Sequence, residues 1–157
     1  MAELTELPGC NPPASAIDDR DDQLNLLLND AIEPKLGCGV PEFLHDYPIS
    51  QAALAVENPN DPRTACRFEL YWEGVELCNG YEELTDAKKL AQRDAAQNET
   101  RQQHHSEKLP GAPRLLAAMQ HGLPACSGVA LGFDRLLMCL LNREQIETVI
   151  PFPIAQS

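Results

Sequence analysis

"ACRFELYWEGVELCNGYEEL", residues 65–84, is the stretch whose reading decides the fold. Phe68, Leu70 and Trp72 recur at every second position, the alternation breaks at Gly74, and it resumes through Val75 and Leu77. A period of two marks a strand with one face on a core, so the stretch reads as a β-hairpin or a bent antiparallel pair. Phe68 and Leu70 are the expected inward face. Glu69 then points to the other face with Tyr71 as a near neighbour, and Glu76 sits likewise between Val75 and Leu77. Asn79–Gly80 is a turn signal, and Asn79 is also a candidate for holding a polar ligand.

A second alternating stretch follows at "SGVALGFDRLLM", residues 127–138. Small residues at Gly128, Ala130 and Gly132 alternate with Val129, Leu131 and Phe133. This predicts a strand over 127–133, buried on the face of large residues, with room on its other face for something flat against the backbone. An apolar helix then starts at about residue 134, placing Arg135 at the junction, where a fixed cation meets an anion. The plainer alternative makes the small residues packing positions and Arg135 a helix-surface arginine. The spacing is not G-x-G-x-x-G, it lies within a strand, and no Walker lysine follows.

The remaining elements read more simply. Residues 1–16, with Pro8, Pro12 and Pro13, form a poorly ordered lead-in. Residues 19–33 predict an amphipathic helix with an acidic first turn, stopped by Pro34 and Gly37. "PEFLHDYPISQAALA" predicts a strand to about Tyr47, and "NPNDPRT" (58–64) a loop. A polar surface helix starts at Thr85 or Asp86, and a short helix over 113–122 begins at Pro113 and ends at Gly122. "EQIETVIPFP" predicts a short turn and a strand. Without a βαβ rhythm, the class is α+β, an antiparallel sheet flanked by helices.

Composition excludes several functions. At 157 residues with 43% hydrophobic, the chain suits one globular domain. A net charge of −12 makes it a poor general partner for tRNA, other nucleic acid or an anionic membrane. No segment approaches the ~20 apolar residues of a membrane span, and the acidic N-terminus does not read as a secretory signal. The cytoplasm is the expected compartment. The six cysteines include no C-x-x-C pair, which favours packing roles over a metal or redox site.

In the central block, Glu69 and Glu76 on one hairpin face, near Arg135, could hold Mg²⁺, a hard cation that takes one or two carboxylates together with phosphate oxygens. Glu82 and Glu83 lie close by. A solvated acidic strand face is the competing reading.

"SGVALGFDRLLM" resembles motif 3 of the class II aminoacyl-tRNA synthetases, and "CRFELYWEGVELCNGYEELTDAKKLAQR" is similar to the segment before it in the lysyl group. "LHDYPISQAALA" and the closing "IETVIPFP" also resemble that group, so the likeness runs in order over residues 17–157. Within it the chain is most similar to the paralogous family that attaches (R)-β-lysine to elongation factor P, by the tract "YPISQAALA" and by Ala130, where the synthetases usually carry glycine. The resemblance implies ATP and Mg²⁺ as cofactors, lysine or (R)-β-lysine as substrate, and elongation factor P as partner. It implies Glu69 and Glu76 for Mg²⁺, with Glu76, Leu77, Gly132 and Arg135 for ATP. It further implies Arg135 as the catalytic residue at the phosphates and Gly132 against adenine. Asn79, Tyr81, Glu83 and Ala130 are implied at the substrate: Asn79 near its carboxylate, Glu83 at its ε-ammonium, and the Ala130 methyl narrowing the pocket. Motif 1, with a homodimer interface, and motif 2, with a second phosphate arginine, belong upstream, and neither Arg20 nor Arg63 fits motif 2. The chain is thus expected to be the C-terminal half of such a catalytic domain, incomplete alone. A lysyl-tRNA synthetase fragment and a non-catalytic synthetase-like binding domain remain the alternatives.

Overall fold

The computed structural model describes residues 19–153. The lead-in over residues 1–16 lies outside them. Four strands form one antiparallel sheet in the order β1-β2-β3-β4: β1 is Glu42–Pro48, β2 Thr64–Trp72, β3 Val75–Glu82 and β4 Ser127–Leu131. Its helices are α1 (Arg20–Leu27), α2 (Ala87–Gln103), α3 (Pro113–Gln120) and α4 (Phe133–Leu140). The α+β class is as the periodicities predict. Among the described residues no helix is long and apolar enough to cross a membrane.

The hairpin turns at Glu73–Gly74, where the alternation breaks, and the turn signal at Asn79–Gly80 makes no turn. Glu73 and Gly74 both have positive φ, 49° and 74°, the pair of left-handed residues that suits a tight connection between twisted strands. Asn79 and Gly80 lie inside β3, where the Phe68 ring covers Gly80 and leaves no room for a Cβ. The predicted inward face of β2 is also reversed. Ala65, Glu69 and Tyr71 are buried, whereas Phe68, Leu70 and Trp72 are half-buried. The polar set goes inside because its members satisfy one another.

α2 begins at the predicted Asp86 cap, and α1 has a cap of the same kind that the sequence reading did not name. Asp19 accepts from the amides of Asp21 and Asp22 at the start of α1, and Asp86 from those of Lys88 and Lys89 at the start of α2. Beyond α1 the chain continues as a π-helical turn (Leu28–Ile32) and a 3-10 turn that takes in Pro34 (Glu33–Lys35). Leu84, Leu90 and Met119 form a core between α2, α3 and the end of β3, and Ala52, Ala55 and Ala65 form another under β2. Arg93 ties α2 to the loop after β1 by donating to the Ala53 and Ala55 carbonyls.

The motif at 127–138 departs from its sequence reading in two ways. The strand ends at Leu131, and Gly132 caps α4. Val129, Leu131 and Phe133 are 61%, 50% and 69% exposed. Within the sheet β4 pairs with β3 alone, and no described element covers those side chains. The tail at 144–153 carries a 3-10 turn over Ile146–Thr148 in place of the expected strand and pairs with neither edge of the sheet.

Candidate functional site

Register places the candidate residues in rows. Leu44, Glu69, Asn79 and Ala130 are successive cross-strand partners across all four strands, and Arg67, Tyr81 and Gly128 form the adjacent row. Directly opposed residues share a face, so Glu69, Asn79, Tyr81 and Ala130 come together on one side of the sheet. Just past β3, the Glu83 amide donates to the Cys126 carbonyl at 2.9 Å. The Glu83 carboxylate then folds back over Gly128, where any Cβ would collide with its Oε1. The room beneath this part of the motif is taken by the chain's own acid.

Glu69 is the centre of the face. It is 6% exposed, the one buried charged residue among those described. Its Oε1 accepts from Arg67 Nη2 at 2.6 Å and from Asn79 Nδ2 at 2.9 Å. Its Oε2 accepts from the Tyr47 hydroxyl at 2.5 Å and the Tyr71 hydroxyl at 2.7 Å. Burial pushes the Glu69 carboxyl up, but the donors on Tyr47, Tyr71 and Arg67 together outweigh it and hold the group below the usual carboxylate range. Burial, with the Glu69 charge, raises both tyrosines far above their ordinary range. The Arg67 guanidinium lies 4.3 Å from the Tyr47 ring centroid and 5.9 Å from that of Tyr81, and it donates to the Gln51 carbonyl.

A second group stands where β3, β4 and α4 meet. Arg135 Nη1 lies 3.0 Å from the Glu76 carbonyl and 3.2 Å from its Oε2. Gly132 donates its amide to the Leu77 carbonyl at 2.8 Å, and the Arg135 stem rests on Gly132. Leu77 is buried, while Glu76 and Arg135 keep one-third to one-half of their side-chain surface in solvent. Glu76 pairs with Tyr71 across the hairpin, so this group adjoins the Glu69 face.

The two carboxylates differ in what they can still bind. A carboxylate offers about four acceptor positions, and Glu69 has all of them engaged by four donors, one of them already a cation. Mg²⁺ at Glu69 would have to displace one of those donors, so Glu69 does not fit it. Glu76 is half-buried and has one arginine on one oxygen, which leaves an oxygen able to meet a hydrated cation.

A family model for the class II tRNA synthetases (D, K and N) matches residues 22–156. The chain belongs to that family. It is 46% identical over 160 residues to the elongation factor P–(R)-beta-lysine ligase of Vibrio vulnificus, covering 99% of this chain and 50% of that protein. The ligases of the same name from Vibrio cholerae and Pectobacterium carotovorum are 44% and 41% identical, each over 100% of this chain and 49% and 48% of their own length. The chain spans about half the length of these curated relatives. In this class II synthetase domain, the sequence reading missed Tyr47 and Arg67 and the supporting role of Tyr71. The signal for two of them was present: Arg67, Glu69 and Tyr71 recur with period two. Tyr47 became visible only through the β1–β2 register.

Proposed function

We infer that this chain supplies the substrate-recognition and motif 3 part of an ATP-dependent ligase that activates (R)-β-lysine and transfers it to a lysine side chain of elongation factor P. In the first step the substrate carboxylate attacks the α-phosphorus of ATP, giving an acyl-adenylate and pyrophosphate. In the second, the lysine amine attacks the acyl carbon, an amide forms and AMP leaves with the bonding pair. The observation that carries the reading is the Glu83 carboxylate seated over Gly128 beside Tyr81, on the face that also holds Asn79 and Ala130. An anion held there suits the distant ammonium of a lysine isomer. Tyr81 lines the aliphatic stem, and the Ala130 methyl narrows the floor.

Arg135 leaves Glu76 for the terminal phosphates, with Gly132 and Leu77 shaping the adenine side. Glu76 is the residue that would hold the implied Mg²⁺, which when bound neutralises phosphate charge. The chain's own contribution is positioning and fixed charge, and no covalent nucleophile is needed.

The test is calorimetric titration of the chain with (R)-β-lysine and with α-lysine. Tighter binding of the β-isomer supports the reading. Preference for α-lysine turns it toward a lysyl-tRNA synthetase, and binding of neither overturns it.

A further inference from the structure

Resting on the ligase reading and reaching outside the site it describes, we propose that Arg93 of α2 is a positioning residue that sets where the Glu83 carboxylate stands. It thereby sets how well the chain holds the distal ammonium of its substrate. It acts through the backbone of residues 52–56 and touches no substrate itself.

Glu83 lies just past the end of β3, and its backbone is fixed from two sides. On the first side its amide donates to the Cys126 carbonyl at 2.9 Å. On the second it faces Ala55 in an isolated antiparallel bridge. There the Leu84 amide donates to the Leu54 carbonyl at 2.7 Å, and the Val56 amide donates to the Glu82 carbonyl at 2.9 Å. The segment 52–56 is thus the support behind Glu83, yet it is no strand of the sheet. Its own geometry is unfavourable: Ala53 has a φ of 48°, in the left-handed region that a residue with a Cβ avoids. Such a residue persists only where its surroundings hold it. Arg93 is placed to do so. Its Nη1 lies 2.9 Å from the Ala53 carbonyl and 2.7 Å from the Ala55 carbonyl, and it has one hydrogen for each. Ala55 is fully buried, so the guanidinium satisfies a carbonyl that water does not reach. The brace is closed on itself, because the chain runs from Glu83 into α2 and Arg93 returns from α2 to the segment that backs Glu83. A carboxylate that must meet one ammonium depends on such placement, since small displacements far from a site are felt in it.

Two ligands isolate the Glu83 contact. Relative to (R)-β-lysine, 3-aminohexanoate lacks only the distal amine. In NMR titrations of the whole chain, R93M, which keeps the side chain's bulk and removes its donors, is expected to weaken (R)-β-lysine roughly tenfold, the scale of a hydrogen bond to a charged group. It should leave 3-aminohexanoate within about twofold, since that ligand never meets Glu83. R93K keeps donors on a shorter stem and should lose less. If R93M does not fold, R93K is compared with the wild type in the same way, its loss again confined to (R)-β-lysine. In the unliganded chain the Leu84 amide should exchange with solvent faster in R93M than in the wild type. Equal weakening of both ligands, the mark of a general loosening, overturns the inference and leaves the ligase reading standing. So does an unchanged affinity for (R)-β-lysine, and a Leu84 amide that exchanges at the wild-type rate overturns the brace itself. A wild-type chain that binds neither ligand overturns the ligase reading and this inference with it.

Discussion

Replacing Glu69 by Gln tests the energetics of the buried pair. Arg67 would keep its charge beside a neutral amide, and breaking a buried pair on one side costs about 3 kcal/mol or more. The pH dependence follows from the lowered carboxyl. In the unfolded chain the group titrates near about 4.3, and in the fold it does so at a lower value. Its stabilisation is therefore complete above about pH 4.3 and is lost as pH falls through the folded-state value. Melting temperatures followed from about pH 6 to about pH 3 should fall more steeply for the wild type than for E69Q. Parallel curves would show that Glu69 does not govern acid stability. Gly128→Ala probes the other acid. The new methyl meets the movable end of Glu83 and not backbone, so stability should change by less than about 0.5 kcal/mol. Affinity for (R)-β-lysine should fall by about tenfold, the loss of a displaced charge-assisted contact. Unchanged affinity would remove Glu83 from the substrate site.

Among the elements, β2 and β3 were the most legible, because Gly74 interrupts an unbroken period of two. Which face of β2 is buried was not legible. Hydropathy assigns Phe68, Leu70 and Trp72 to the core, but Arg67, Glu69 and Tyr71 exchange hydrogen bonds with one another and with Tyr47 from β1. A strand's own sequence does not show a partner that arrives through register. Asn79–Gly80 misled for a related reason: its glycine is explained by the Phe68 ring and not by a turn. Gly37 shows the same principle with a larger consequence. It has a φ of 70°, its carbonyl accepts from the Glu73 amide, and a Cβ there would meet the Tyr71 carbonyl oxygen and come within 2.7 Å of Trp72 Cα. The left-handed backbone alone costs a non-glycine residue about 1–2 kcal/mol, and rigid backbone cannot yield as a side chain can. Gly37→Ala should therefore lower the free energy of unfolding in urea by more than about 2 kcal/mol. A midpoint equal to the wild type's would mean that the turn before β1 is not held against the hairpin.

At the scale of the molecule, the two faces of the sheet have opposite needs. Among the described residues, the face carrying Glu69 satisfies most of its polar groups internally, leaving Asn79 Oδ1 and Arg67 Nε without a partner and an oxygen of Glu76 open. The other face leaves large apolar side chains in solvent: Phe43 lies over Phe68 at 5.6 Å between ring centroids, and Val129 and Leu131 stand uncovered on β4. This second feature was half legible, since the alternation marks those residues for burial and only the sheet order shows that nothing described buries them. An unpaired strand edge beside an exposed apolar patch favours association of the isolated chain with itself. The net charge of −12 opposes that association by repulsion between copies. Added salt screens the repulsion, with a Debye length of about 10 Å at 0.1 M, but leaves the apolar contact in place. Sedimentation velocity should therefore show self-association that strengthens as salt is raised. Val129→Lys, which puts a charge on the exposed edge strand, should restore the monomer without unfolding the chain. Association that weakens with salt would mean that charge pairs hold the copies together, and an unresponsive V129K would move the contact away from β4.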